Sequence, residues 1–458
     1  MRTLTEGNEA RVIWSFAVPM LIGNVFQQLY NLTDAWVVGQ FVGKQALAAV
    51  GSSFSIIFLM IALIMGAAMG SGIMVSQFYG AGDMEKVRRT ISTTYIYVFV
   101  ASIAVSVGGL FAARPLLVLL RTPSDVLPLA ESYLFIMFTG TVLTFGYNAF
   151  SAVLRALGDS RTPLYFLILA VLVNVGLDLL FVAVLGWGVA GAAWATIISQ
   201  GIAFVASWIY MQKSGHDVLR IDLRRMVFDR ALFGQSIRIG LPSAAQQTMV
   251  AMGFMVMQRI VNGFGTDAVA AYTAAGRLDS FAGMPAMNFS MALITFVGQN
   301  IGAGKMDRVR KGFAATLLMS GALALAVTLV MVFFKVPLIQ IFNSDPAVVD
   351  IGSSYLLIVG SFYIVFSTMF ISGSVPRGAG DTLFPMIVTL FSLWIARIPL
   401  SILLSRTMGI NGVWWSIPIA WAIGTVLNVV YYFTGRWRRM RLVNPAGRGG
   451  PSGGPEVT

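Results

Sequence analysis

The stretch QFYGAGDMEKVRR, residues 77–89, recurs 222 positions later as QNIGAGKMDRVRK, residues 299–311. A second pair, VLRALGDSRTP at 153–163 and VPRGAGDTLFP at 375–385, keeps the same offset. Self-similarity at a fixed offset marks structural units that repeat along a chain. The sequence therefore predicts two structurally similar halves, joined near the middle of the chain.

The composition predicts a protein embedded in a lipid bilayer. Of its 458 residues, 57% are hydrophobic and only 11% are charged, and the mean hydropathy is +0.79. Soluble domains normally contain about 25% charged residues. The chain has no cysteine, which excludes disulfides, thiolate metal sites and cysteine-based catalysis.

Twelve hydrophobic runs are long enough to cross a bilayer, since a transmembrane helix needs about 20 predominantly apolar residues. The runs lack the alternation, over segments of about 10 residues, that is typical of membrane β-barrels. We therefore expect an all-α polytopic membrane protein whose two six-helix bundles are related by an axis along the membrane normal. The expected spans are residues 12–39, 48–77, 91–113, 130–153, 163–185, 189–211, 234–258, 269–297, 313–335, 353–375, 384–406 and 411–435.

The distribution of Lys and Arg predicts that both termini are cytoplasmic, because cytoplasmic loops are enriched in these residues. This orientation places 23 of the 31 basic residues in the cytoplasm, including Arg155 and Arg377 in turns after spans four and ten. The net charge of +12 is thus interpreted as a topology signal, and no nucleic-acid partner is expected. The N-terminus has no recognisable cleavage site, so span one is expected to direct insertion.

The expected organisation is an N-terminal lobe at 1–211, a basic cytoplasmic linker at 212–233 and a C-terminal lobe at 234–440. The tail at 441–458 is rich in Gly and Pro and is expected to be disordered. The single histidine, His216, lies in the linker, so no zinc site or catalytic triad can be built around it. We expect neither enzymatic activity nor a cofactor.

Acidic residues inside spans one and five are the candidates for function. Asp34 lies in FQQLYNLTDAWVVGQ, and Asn174 and Asp178 are one helical turn apart in LVNVGLDLLFV. A charge at bilayer depth costs roughly 2.5–3.5 kcal/mol on insertion scales, so it calls for an explanation. The equivalent positions of the second half are Val256, Ala396 and Leu400, and the fold therefore does not require polar groups there.

Two acids on two helices of one bundle can share a proton or hold a cation. Desolvation and a neighbouring carboxylate both favour the neutral, protonated form of a carboxyl group, which suits proton coupling. Gln27 and Tyr30 share a helical face with Asp34 and could contribute polar atoms. The alternative is that Asp34 caps a helix end at the outer interface and Asp178 is simply solvated.

The chain resembles the multidrug and toxic compound extrusion (MATE) family, in particular its bacterial DNA-damage-inducible-F-like branch, over roughly residues 10–435. Pro19 followed by QQLYNLTDAWVVGQ, the GAGD and GAGK turns, and the RALGD and RGAGD turns carry the resemblance. It implies a proton-linked carboxylate at Asp34, coupling residues at Asn174 and Asp178, and a bend of span one at Pro19. The supporting polar positions that it implies are Gln27, Tyr30, Tyr133, Asn148 and Thr196.

Sodium-coupled relatives of the NorM type carry acids in spans seven and ten, and neither span has an acid here. This departure favours coupling through the first half, with protons ahead of sodium. No metal site is predicted, although oxygens of Asn174, Asp178 and Thr196 could ligate Na⁺. Arg277 and Asp279, near the start of span eight, are interpreted as an interfacial pair.

The sequence thus predicts a monomeric multi-pass protein of the inner (plasma) membrane that acts as a proton-coupled antiporter. Its partners would be the lipid bilayer, H⁺ or Na⁺, and small organic substrates, often cationic drugs, exported by alternating access of the two lobes. The alternatives are a Na⁺-coupled antiporter and a flippase for lipid-linked precursors. A flippase should have basic residues in its cavity, whereas the cavity candidates in this sequence are acidic.

Overall fold

The computed structural model describes residues 3–120, 122–215, 218–220 and 226–443, without the side chains of 55, 59–65 and 67. The described residues are nearly all helical and contain no strand. His216, part of the expected linker and residues 444–458 of the expected tail lie outside this description.

Sixteen α-helices follow one another along the described chain. They are α1 (Glu9–Phe41), α2 (Lys44–Ala81), α3 (Met84–Leu119), α4 (Leu127–Thr139), α5 (Thr141–Ala156), α6 (Arg161–Asp178), α7 (Gly188–Lys213), α8 (Arg230–Asn262), α9 (Thr266–Gly302), α10 (Met306–Phe333), α11 (Lys335–Gln340), α12 (Pro346–Gly360), α13 (Tyr363–Ala379), α14 (Leu383–Leu390), α15 (Ile398–Met408) and α16 (Ile410–Thr434). π-Helical segments follow α6 at Leu179–Val184 and α14 at Phe391–Arg397, and a 3₁₀-helix follows α16 at Arg436–Met440.

These helices form twelve spans. Among the described residues, eight helical stretches are long and apolar enough to cross a membrane, and two bent pairs, α4 with α5 and α12 with α13, add one span each. The long helices α2 and α8, of 38 and 33 residues, complete the set. The prediction of a twelve-helix membrane protein is confirmed.

Spans four and ten are broken, whereas the sequence analysis expected continuous helices there. The axis turns by 53° between α4 and α5, and by 46° between α12 and α13. Gly140, at the first break, lies so close to α7 that a Cβ atom would meet the side chain of Ile197 at 2.4 Å. The glycine thus lets the chain bend where it packs tightly against its neighbour.

The first helix of each half begins in the core of the other half. Phe16 and Ala17 of α1 pack with Phe289 and Leu293 of α9, whereas Val37 and Val38 pack with first-half helices. In the same way, the start of α8 packs with first-half residues of α2 and α3. Residues 211 and 234 mark where the repeated halves of the sequence end and begin. Their assignment as the boundaries of the two structural lobes stays a prediction.

The two halves meet at one end of the bundle, which we call the basic end. It contains the turns around residues 82–83, 157–160, 303–305 and 380–382, and the adjoining helix ends carry many of the Lys and Arg residues, including Lys86, Arg89, Arg308 and Lys311. There α2 packs against α8 and α9 so closely that a Cβ at Gly70 would lie 2.1 Å from the Ser236 carbonyl oxygen. The space between the halves is therefore closed at the basic end.

Candidate functional site

The residues predicted in spans one, five and six form a buried cluster in the first half. Asp34 of α1 is 9% exposed, and Asn174 and Asp178 of α6 are fully buried. The Tyr30 hydroxyl donates to Thr196 Oγ1 of α7 at 3.1 Å, which ties α1 to α7 beside the acids. Asp34 and Asp178 lie within electrostatic range of each other. The two carboxyl groups thus share one apolar environment.

Tyr133 of α4 completes the wall of this cluster. It is 5% exposed, and it lies within electrostatic range of Tyr30 and of both acids. Tyr30, Tyr133, Asn174, Asp178 and Thr196, five of the residues named from the sequence, therefore surround Asp34. We call these six residues the first-half cluster.

The acids of the first-half cluster have no partner for most of their polar atoms. Both carboxylate oxygens of Asp178, Oδ1 of Asp34 and both amide atoms of Asn174 are buried, with no hydrogen-bond partner among the described residues. A buried polar group left unpaired costs about 1–3 kcal/mol, and an unpaired charge costs more. Such groups reduce the stability of the fold, so packing alone does not explain their presence.

The backbone changes its winding directly after Asp178. The α6 helix ends at this residue and a π-helical segment, Leu179–Val184, continues the span. π-Helical turns inside α-helices occur frequently at functional sites, because they redirect side chains and loosen the hydrogen-bond ladder. Asp178 therefore lies at the junction between α-helical and π-helical winding.

Three residues named from the sequence are not among the six of the first-half cluster. Gln27 is partly buried on α1, and Pro19 lies within α1, which continues through it as one helix. Asn148 of α5 is exposed, lines the cavity between the halves, and donates to its own helix at the Thr144 carbonyl, 2.8 Å away. Asn148 was assigned from the family resemblance alone, which gives no information about the direction of its side chain.

Asp279 is placed differently from the expectation for an interfacial pair. Its carboxylate accepts hydrogen bonds from the hydroxyl groups of Tyr355 and Tyr363, and it lies within electrostatic range of Arg397. Arg277 is exposed and makes no ion pair with a described carboxylate. The prediction that Arg277 and Asp279 form a pair is therefore wrong. Asp279 instead ties α9 to the broken span ten.

A central cavity of about 430 Å³ lies between the two halves. Three arginines line it, Arg155 of α5, Arg377 of α13 and Arg397 at the end of the second π-helical segment, and no carboxylate is among its described lining residues. The sequence analysis placed Arg155 and Arg377 in cytoplasmic turns and expected an acidic cavity. The placement in turns is wrong because α5 ends at Ala156 and α13 at Ala379, so both arginines lie in the last turn of a cavity-lining helix. The predicted acids lie in the first-half cluster and do not line this cavity.

Arg397 carried a signal that the sequence analysis did not use. It lies in the middle of span eleven, and an ionisable residue at membrane depth is by default a candidate for function. Its equivalent in the first half is Val175, so the same comparison that identified Asp34 would have identified Arg397. The cavity also receives polar atoms from Ser243, Gln246 and Ser392.

The model of the MatE family matches this chain twice, at residues 19–180 and 242–403, once in each half. The chain belongs to the MATE family of membrane transporters. The double match also agrees with the internal repeat.

Individual relatives match over nearly the whole chain. The protein named probable multidrug resistance protein YpnP of Bacillus subtilis is 35% identical over 96% of this chain and 98% of its own. A protein named FAD transporter, from Shewanella oneidensis, is 26% identical over 89% of this chain and 91% of its own. The outward-facing structure of a multidrug resistance MATE family transporter of the MOP superfamily superposes with a TM-score of 0.89 at 22% identity, covering 95% of this MATE protein and 98% of that chain.

Proposed function

We propose that this MATE protein is a proton-coupled antiporter that exports organic compounds, and that Asp34 and Asp178 carry the coupling proton. The observation that supports this proposal most strongly is the pair of buried, unpartnered carboxyl groups in one half only. A carboxyl group in such a place gains most when it binds a proton, because the neutral acid avoids the cost of a buried charge. The names of the multidrug relatives support the export of organic compounds.

The proposed cycle uses the first-half cluster as the ion site and the central cavity as the cargo site. When the protein faces the cytoplasm, the acids lose a proton and the cavity accepts cargo. The halves then rock outward, a proton enters the first-half cluster, and the bend expected at Pro19 helps to release the cargo. Each state must bind proton and cargo with different affinity, since equal binding would shift no equilibrium. One charge crossing 100 mV supplies roughly 2.3 kcal/mol.

The proposal includes an orientation and a location. We place the basic end in the cytoplasm, with both termini, in a monomer in the inner membrane. In this orientation the structure is a state closed toward the cytoplasm. We assign the protein to the DNA-damage-inducible-F-like branch on the span-one stretch and the paired glycine-containing turns named above. The alternative coupling ion is Na⁺, bound at Asn174, Asp178 and Thr196.

One observation favours a second candidate function. A flippase for lipid-linked precursors needs basic residues in its cavity, and the central cavity has three arginines. Scrambling of a fluorescent lipid pyrophosphate between the leaflets of proteoliposomes would support this candidate. We prefer the antiporter because a flippase does not explain the two buried acids of the first half.

The test is cargo-driven proton movement in proteoliposomes, measured with a pH-sensitive dye in the lumen under imposed pH or sodium gradients. Ethidium and 4-(1-pyrenyl)butyrate serve as cationic and anionic cargo. We expect the unsubstituted protein to couple protons to the movement of at least one of them, and Asp34→Asn to abolish the coupling. Asp350→Asn, at an exposed position, is the matched control.

Two results would contradict the proposal, and a third would change the identity of the coupling ion from H⁺ to Na⁺. Normal coupling in Asp34→Asn would make Asp34 a structural residue. Cargo transport driven by a sodium gradient alone would indicate that the coupling ion is Na⁺, bound at Asn174, Asp178 and Thr196. Cargo that equilibrates without any gradient would indicate a passive pathway.

A further inference from the structure

The charge on the wall of the central cavity has one sign. Arg155, Arg377 and Arg397 line it, and none of the three forms an ion pair with a carboxylate in the described part of the chain. Asp279 lies within electrostatic range of Arg397, but it is engaged by two tyrosine hydroxyls and is not a lining residue. The cavity therefore presents to a ligand three positive charges that have no direct ion-pair partner among the described residues.

Arg397 is held in a position that lacks a full set of partners. It is 8% exposed, its Nε is buried without a hydrogen-bond partner, and its guanidinium lies 5.8 Å from the ring centroid of Phe254. Burial of an unpaired charge is costly, so natural proteins retain it where a ligand completes the site. Arg397 has no basic counterpart in the first half, and the repeat itself does not require it.

Arg377 adds a second guanidinium with free donors. Its Nη2 donates to Gln246 Oε1 at 3.0 Å, which fixes the side chain, while its Nε is buried without a partner. The hydroxyl groups of Ser243 and Ser392, on the same wall, also have no partner among the described residues. Guanidinium groups bind carboxylates and phosphates through paired N–H donors, and hydroxyl groups supplement them.

The remaining wall is apolar and aromatic. Phe254, Phe366, Phe370 and Trp421 line the cavity together with several methionines. Aromatic faces and flexible methionines accept flat ligands of varied shape. The cavity thus combines donors for an oxyanion with surfaces for an apolar ring system.

We propose that the central cavity binds organic anions, in which a flat apolar body carries a carboxylate or phosphate, with Arg397 and Arg377 as its direct ligands. The proposal concerns ligand binding, and it rests on the proposed transport function only in treating the bound anion as cargo. It replaces the cationic cargo expected from the sequence, because that expectation depended on acids in the cavity wall.

The test measures binding to purified full-length protein in lipid nanodiscs, without an ion gradient. Three pyrene probes share one ring system and differ in charge: 4-(1-pyrenyl)butyrate, 1-pyrenebutanol and 1-pyrenebutylamine. We expect the carboxylate to bind at least tenfold more tightly than the alcohol, and the amine to bind most weakly. Arg397→Gln should remove the preference for the carboxylate and leave binding of the alcohol unchanged, whereas Arg397→Lys should retain part of it.

Arg259→Gln is the matched control, since it removes the same charge from an exposed position of α8, the helix that carries Phe254. Arg377→Gln provides a second variant if Arg397→Gln does not fold. Equal affinity for the three probes, a preference for the amine, or an unchanged preference in both cavity variants would overturn the proposal. Failure of proton coupling in liposomes, with the carboxylate still preferred in nanodiscs, would instead refute the transport mechanism alone.

Discussion

Gln77 and Gln299 occupy equivalent positions of the two repeats and make equivalent hydrogen bonds across the interface between the halves. Gln77 Nε2 donates to the Gly378 carbonyl oxygen at 2.9 Å, and Gln299 Nε2 donates to the Ala156 carbonyl oxygen, also at 2.9 Å. Gly378 and Ala156 are themselves related by the offset of 222 residues. Both glutamines are fully buried, so these two bonds close the basic end symmetrically.

The chain termini complete this arrangement. The backbone N–H of Leu4 donates to Gln299 Oε1, and that of Leu442 donates to Gln77 Oε1, each at 2.9 Å. Each glutamine therefore uses its amide to join the other half and its carbonyl oxygen to hold one terminal segment. A movement that separates the halves at the basic end must break the two bonds from Gln77 to Gly378 and from Gln299 to Ala156.

We predict that Gln77→Ala combined with Gln299→Ala shifts the protein toward a state that is open at the basic end. The substitutions leave buried backbone groups unpaired in the closed state, at about 1–3 kcal/mol for each group. The open population should therefore rise at least about tenfold. Spin labels at Arg161→Cys and Leu383→Cys, exposed equivalent positions of the two halves, report the distance across this end, and the chain has no native cysteine.

Gln40→Ala, at an exposed position of α1, is the control and should leave the distance distribution unchanged. If the double variant keeps the distribution of the unsubstituted protein, the two hydrogen bonds do not determine the closed state.

We also predict that alanine at Gly80 or Gly302 prevents closure of the basic end. These glycines are equivalent in the repeat, and a Cβ at Gly80 would lie 1.9 Å from the Gln299 carbonyl oxygen. A Cβ at Gly302 would lie 1.9 Å from the Gln77 carbonyl oxygen. Since these contacts involve backbone atoms, the helices α2 and α9 must move apart.

The same pair of spin labels measures this effect as a loss of the short-distance population. Gly51→Ala on α2 and Gly276→Ala on α9 are matched controls, because no heavy atom lies within 4 Å of a Cβ there. A short distance that persists in Gly80→Ala would show that the closed interface can absorb a methyl group.

The repeated GAGD and GAGK stretches show what the sequence revealed and what it left open. Hydropathy and the repeat predict twelve helices in two halves, because bilayer thickness fixes the length of a span. The repeat also identified Asp34 and Asp178 by the difference between the halves. The role of Gly80 and Gly302 at the interface required the structure, since a repeat does not specify which surfaces meet.

The predictions from the sequence that the structure contradicts also failed for physical reasons. Hydropathy places Arg155 and Arg377 in loops because the end of a hydrophobic run does not give the end of the helix. The breaks in spans four and ten were missed because hydropathy depends on composition and is insensitive to bending. The partners of Asp279 were missed because its two tyrosines lie 76 and 84 residues away in the chain.

Our last prediction concerns the contrast between Asp178 and Asp279, two acids with opposite surroundings. Both oxygens of Asp178 are buried without a partner, whereas Asp279 accepts from Tyr355 and Tyr363. We expect Asp178→Asn to raise the melting temperature in detergent at pH 8 by a few degrees, because it removes a buried carboxylate with no counter-charge. Asp279→Asn should lower it, because one tyrosine hydroxyl loses its acceptor, at about 1–3 kcal/mol.

Tryptophan fluorescence during heating measures both effects, and Asp350→Asn at an exposed position should leave the melting temperature unchanged. The gain from Asp178→Asn should shrink at pH 5, since a protonated carboxyl group is neutral and no longer a buried charge. The same variant should lose proton coupling, because an amide cannot take up and release the coupling proton as a carboxyl group does. A lower melting temperature for Asp178→Asn, with coupling retained, would show instead that Asp178 belongs to the scaffold and that the proton is carried elsewhere.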